Sequence, residues 1–189
     1  MCQIKIRSDC LKTISHHTLQ GFRKPYKEER AGFLFGRLNG KYLFISRSHF
    51  YRGGHRKRTW LTFPSDEIAL KRGKELAKKL HLRFLGFYHS HPVVGKEKSW
   101  GPSDADRLWF YTDPHSTIFM VVGIYQNSSY HSHCVRYNRD KTLTYYSGDY
   151  VFRFNIHCKK HQGRCRLLIY SHARGFHSRD KQVRFCGRK

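Results

Sequence analysis

Eight consecutive residues, Ile118 to Tyr125, comprise seven apolar side chains and one glycine. A run of that length and composition reads as a strand buried on both faces. Such a strand must be covered by other elements, so the chain is expected to form a layered domain around a sheet. The other periodicities supply those layers. Residues 9–22 put Leu11, Ile14, Leu19 and Phe22 roughly on one side of a helix, with Asp9 as a candidate N-cap and Pro25 beyond its end. Two apolar runs, Gly32 to Gly36 and Lys41 to Ser46, flank Asn39-Gly40, a strong hairpin signal. A strand over Thr59 to Phe63 precedes a second helix that opens at Pro64-Ser65-Asp66-Glu67 and runs to about Leu80.

Phe84 to Tyr88 reads as a short strand leading into His89-Ser90-His91-Pro92, and Pro102-Ser103-Asp104 as the entry to a third helix ending near Tyr111. After Ile118 to Tyr125, an antiparallel pair is expected over His131 to Tyr137 and Thr142 to Tyr146. Val151 to Ile156 and Arg166 to Tyr170 are further strand candidates. The order of elements predicts an α+β or mixed α/β layered domain over residues 1–150. Residues 151–189 change character, with eleven Lys or Arg and one acid, and read as a basic His- and Cys-containing extension.

Charge narrows the partners. The 37 Lys and Arg outnumber the 13 Asp and Glu, a net charge of +24. Such a surface attracts polyanions or acidic proteins through salt-sensitive fields. The start, Met1 to Arg7, lacks the apolar stretch of a signal peptide, and no apolar run is long enough to span a bilayer. The expectation is a cytoplasmic protein with no membrane contact. Its six cysteines, at 2, 10, 134, 158, 165 and 186, are read there as reduced thiols or metal ligands before disulfides.

The chemistry gathers around His89 and His91. Histidines two apart on a strand point to the same side, so both rings can meet one divalent ion, and neutral imidazole suits zinc at roughly 2.0–2.1 Å. A His-x-His pair alone is weak in a chain with 14 histidines, and His131-Ser132-His133 is another. A catalytic zinc takes three protein ligands and keeps one position open. Asp106, on the first turn of the third helix, supplies a third ligand, and Asp104 competes for that role.

These residues resemble a known family. His89-Ser90-His91-Pro92 followed by Pro102-Ser103-Asp104-Ala105-Asp106 looks like the His-x-His-Pro…Ser-x-x-Asp signature of the JAMM (MPN+, JAB domain) zinc metallopeptidases. Glu29-Arg30-Ala31-Gly32-Phe33-Leu34-Phe35-Gly36 resembles that family's upstream Glu-x-x-Gly-x-Leu-x-Gly. The resemblance covers about residues 3–150. It implies a JAMM/MPN-like (cytidine-deaminase-like) central β-sheet flanked by helices. It implies that His89, His91 and Asp106 bind one catalytic Zn²⁺ and that Glu29 acts as general base. Ser103 would donate to the oxyanion, beside the plainer role of helix N-cap. The reaction implied is hydrolysis of an amide or isopeptide bond at the tail of a ubiquitin-like or sulfur-carrier protein, bound by strand addition.

One spacing departs from the family. Eleven residues, Pro92 through Pro102, separate His91 from Ser103 where about seven are common, so a longer loop borders the metal. Two other readings accompany the enzyme. The basic surface and the Arg52 to Arg58 stretch also suit a nucleic-acid-binding module on an MPN-like scaffold. In the extension, His157, Cys158, His161 and Cys165, with His172, His177 or Cys186 as alternates, are spaced for a second, structural zinc.

Overall fold

The computed structural model describes residues 3–40, 42–52, 55–56, 61–62, 66–93, 101–127, 133–170 and 184–185. Cys2, residues 94–100 of the long loop, most of the basic stretch 52–58, His131, His172, His177 and Cys186 lie outside them. The chain begins with β1 (Gln3–Arg7), whose alternating burial sends Ile4 and Ile6 inward. The sequence carries no clear strand signal there, because two apolar residues among basic ones are too few to stand out. Helix α1 (Ser8–Phe22) follows directly. Arg7 rather than Asp9 holds the cap position, while Asp9 sits in the first turn and accepts from the Cys10 N–H.

The hairpin forms as expected. β2 (Ala31–Asn39) and β3 (Tyr42–Phe50) pair antiparallel, and Gly40 adopts the left-handed conformation (φ 57°) that an Asn-Gly turn requires. A two-residue pair, β4 (His55–Arg56) and β5 (Leu61–Thr62), precedes α2 (Asp66–Lys79). β6 (Arg83–Pro92) is longer than its apolar run and carries both histidines within it. Then come α3 (Asp104–Thr112), β7 (Ile118–Gln126), β8 (Cys134–Tyr137) and β9 (Leu143–Ser147). β10 (Tyr150–Cys158), β11 (Gly163–Tyr170) and β12 (Arg184–Phe185) complete the chain.

The expected layered arrangement, a central sheet with helices on its flanks, does not hold. Seven strands in the order β11-β1-β3-β2-β6-β7-β10 close into a mixed barrel through a pairing of β10 with β11. The cause lies at a fork in β10. Its Tyr150–Phe154 portion pairs with β9, and its Ile156–Cys158 portion turns instead to β11. A single 3-10 turn at Lys159–His161 reverses the chain, and β11 then lies parallel to β1, with Gln3 opposite Arg166. Closure therefore depends on residues more than 160 positions apart, which local periodicity cannot reveal. The basic composition of the last stretch also hid it, since charged side chains on one face do not prevent a strand from completing a barrel.

Each barrel strand sends side chains into one large core that includes Ile4, Leu34, Ile45, Tyr88, Met120, Phe154 and Leu167, with Leu11 and Ile14 from α1. A second core lies on the opposite face of β2, β6 and β7, where Phe33, Phe35, Phe87, Phe119 and Val121 meet Ala69 and Ala77 of α2 and Phe110 of α3. Phe110 stacks on Phe119 at 5.6 Å, and Trp109 meets Phe87 edge-on at 5.3 Å. Each such aromatic contributes roughly 1.5–3 kcal/mol by burial. These contacts hold α3 across the strand that carries the histidines.

Cysteine chemistry also differs from expectation. Cys134 and Cys165 are each disulfide-bonded, whereas Cys10 and Cys158 are buried free thiols. Cys165 is fully buried on β11, the strand that closes the barrel. Cys165→Ser should therefore cost about 2–4 kcal/mol, read from urea unfolding without reductant. An unchanged midpoint would show that the disulfide at Cys165 adds nothing to stability.

Candidate metal centre

The site is built on the pairing of β2 with β6. Ala31 lies opposite His89, and the same antiparallel course brings Arg30 against Ser90. The Ser90 N–H donates to the Arg30 carbonyl, and the Arg30 N–H donates to the Ser90 hydroxyl, each at 2.8 Å. Glu29 comes one residue before Arg30, and His91 and Asp106 lie close enough to act on its carboxyl. Strand alternation sends Tyr88 into the barrel core and His89 and His91 to the opposite face, beneath α3. Gly32 permits the close approach behind them: a Cβ there would lie 2.4 Å from the Tyr88 ring and 2.4 Å from the His49 carbonyl oxygen.

α3 brings the third ligand. His89 Nε2 is 3.3 Å from Asp106 Oδ1, His91 Nε2 is 3.4 Å from Asp106 Oδ2, and the two Nε2 atoms are 2.8 Å apart. The three ligand atoms all lie within 4.8 Å of one another, so His89, His91 and Asp106 form a group that could hold a metal ion. Two imidazoles and one carboxylate are a donor set that suits zinc. Asp104, the competing ligand, points away to solvent and lies 3.7 Å from Arg107.

Ser103 holds Asp106 in place. Its hydroxyl donates to Asp106 Oδ2 at 2.8 Å, its N–H donates to the same oxygen at 2.7 Å, and its hydroxyl accepts from the Asp106 N–H. This is a capping box with aspartate in the glutamate's place. It fixes the carboxylate in the first helical turn, where the helix dipole also favours negative charge. Burial opposes ionisation of Asp106, but hydrogen bonds from His89, His91 and Ser103 outweigh it and hold this carboxyl far below the usual range. Burial lowers the pKa of His89, which packs against the Phe119 ring at 5.1 Å. For His91, burial is overcome by Asp106, Glu29 and the Gly101 backbone, and its pKa is raised.

Glu29 is 7% exposed, and burial pushes its carboxyl up to about 7, with His91 opposing the rise and Asp106 adding to it. Its neighbour Glu28 turns to Arg30, 2.9 Å away, and takes no part. All five residues singled out from the sequence, Glu29, His89, His91, Ser103 and Asp106, thus converge at one end of β6. Ser90 stitches the Glu29 segment to the histidine strand and does not stand out in the sequence. Its only signal was its place between two candidate ligands. The alternative metal group in the basic extension does not assemble among the described residues. His157 and Cys158 are successive on a strand and face opposite ways, and Cys165 is in a disulfide.

No family model and no curated protein matches this chain. A solved structure does: protein DSY2949 from Desulfitobacterium hafniense, at 16% identity and a TM-score of 0.53, over 89% of this chain and 93% of that one. At that identity the likeness shows a shared fold and nothing about activity.

The buried carboxyl of Glu29 gives a pH test. A carboxyl whose pKa is raised on folding binds its proton more tightly in the native state, so stability is highest below the unfolded value of 4.5 and falls as pH rises through about 7. Glu29→Gln should therefore stabilise the metal-free protein at pH 8 by roughly 2–3 kcal/mol, with little gain near pH 4.5. Equal gains at both pH values, in thermal melts with chelator, would show that Glu29 carries no such strain.

Proposed function

We propose that this chain is a zinc-dependent hydrolase that cleaves an amide or isopeptide bond. The observation that carries the reading is the meeting of a His-His-Asp group with a separately positioned, buried carboxyl, Glu29, supplied by the segment that leads into the neighbouring strand. A purely structural zinc is ordinarily enclosed by four protein ligands, whereas three ligands beside a carboxyl suit a catalytic one. Bound there, zinc supplies Lewis acidity that activates water and polarises the carbonyl. Glu29 accepts the proton of the attacking water and passes it to the departing amine. A carboxyl with a pKa of about 7 in the metal-free site is matched to both halves of that exchange.

The motif resemblance to JAMM metallopeptidases supports the same assignment on the same five residues. It places the substrate among the extended C-terminal tails of ubiquitin-like or sulfur-carrier proteins. The net charge of +24 would speed encounter with an acidic protein of that kind. Ser103 has a dual assignment: it caps α3 and orients Asp106, and as the one hydroxyl among the five residues it would turn its single O–H from Asp106 Oδ2 to the oxyanion.

The test is hydrolysis of ubiquitin-like proteins fused through their C-terminal glycine to a reporter, followed by mass spectrometry with the zinc-loaded chain. Cleavage by wild type and a fall of at least about 10²–10⁴-fold in Glu29→Gln, at unchanged zinc content, is the expected result. Full activity in Glu29→Gln would sink the mechanism. For Ser103→Ala, an oxyanion role predicts a loss of about 10²–10³ in kcat with zinc retained. Loss of zinc instead would confine Ser103 to holding Asp106.

A further inference from the structure

The face of the barrel that carries the histidines continues across β7 to β10. Registers align His89 with Val121 and Asn155, and Phe87 with Phe119 and His157. On β11, Arg164 lies opposite His157. These polar side chains therefore occupy the same face as the metal centre, on the second and third strands away from it. Asn155 is 1% exposed, yet its Oδ1 has no hydrogen-bond partner among the described residues. His157 Nε2 and Arg164 Nε are likewise buried, and neither has a partner among the described residues. Leaving such groups unmet costs about 1–3 kcal/mol apiece, so three together on one face call for a ligand or water that meets them.

Gly101 joins this cluster to the metal centre. Its backbone bonds to His91, while a Cβ on it would lie 3.1 Å from Asn155 Nδ2 and 3.9 Å from Arg164 Nη2. Arg107, one residue beyond Asp106, donates to the Pro102 carbonyl at 3.4 Å. The charge here is one-sided. Burial, then Arg164 and Arg107, push His157 down to about 4. Asp140 partly offsets Arg164, 3.5 Å away, but it is shared with Arg153. Asp104, paired with Arg107, is fully open to solvent.

We propose that Asn155, His157, Arg164 and Arg107 form a subsite for a carboxylate of the molecule that reaches the metal centre. The arginines supply charge, Arg164 Nε and His157 Nε2, in the tautomer with its proton there, donate hydrogen bonds to the carboxylate, and Asn155 donates through Nδ2 while its Oδ1 accepts from an N–H or O–H of the same molecule. The subsite deepens the hydrolase reading by specifying the substrate. An acidic side chain or a free C-terminus sits close to the reacting amide, and a neutral peptide lacks that anchor.

Binding can be tested without turnover, on the full zinc-free chain. Glutarate and its uncharged counterpart glutaramide are titrated while the His157 ring and Asn155 side-chain amide signals are followed by NMR. Glutarate should shift both signals saturably, glutaramide should not, and Arg164→Gln should weaken the effect at least about tenfold. Arg107→Gln, at an exposed position, should weaken it in the same direction and serves if Arg164→Gln does not fold. Unmoved signals, or equal shifts in wild type and both variants, would overturn the subsite. Saturable shifts with inorganic phosphate but not glutarate would overturn the carboxylate assignment. Because neither zinc nor cleavage enters the readout, failure here is separate from failure of the hydrolase reading.

Discussion

The pairing of Ala31 with His89 is the contact on which the rest of the site depends. It fixes which face of β6 the histidines occupy, since a slip of one residue would exchange His89 and His91 for Tyr88 and Ser90. It also brings the segment of Glu29 beside His91 and Asp106, so one register sets both the ligands and the proposed base. The pairing is held by the two Arg30–Ser90 hydrogen bonds and by the aromatic cluster of Phe33 and Phe87, 5.6 Å apart, on the same face. The buried carboxyl of Glu29 and the desolvated ring of His89 are costs that this packing sustains.

α3 completes the centre from the outside. Its cap and its core contacts are separate devices with one effect. Phe110 and Trp109 press the helix onto Phe119 and Phe87, and Ser103 then aims Asp106 at the two imidazoles. A ligand on the first turn of a packed helix is held more firmly than one on a loop. That arrangement explains how an eleven-residue connection, Pro92 through Pro102, can sit between His91 and Ser103 without displacing the ligand.

The site was far more legible in the sequence than the fold. Ligand spacing is a local signal: His89 and His91 are two apart, and Ser103 precedes Asp106 by three. Hairpin and helix signals at Asn39-Gly40, residues 9–22 and Pro102-Ser103 are local too, and elements stand there. Barrel closure is not local. It joins β11 to β1 across nearly the whole chain, through strands whose charged residues masked their alternation. The disulfide-bonded state of Cys134 and Cys165 was hidden for a related reason, because pairing depends on which strands become neighbours. Asn155 escaped notice because a single asparagine in an apolar strand carries no pattern, and its significance comes only from what lies above it.

The central claim is that His89, His91 and Asp106 hold one zinc with room for a further oxygen ligand. X-ray absorption at the zinc K-edge of the purified full-length chain tests it most directly. The account predicts one zinc per chain, with two imidazole nitrogens and two oxygens at roughly 2.0–2.2 Å, and loss of that shell in Asp106→Ala. A shell containing sulfur, or an unchanged spectrum in Asp106→Ala, would contradict it.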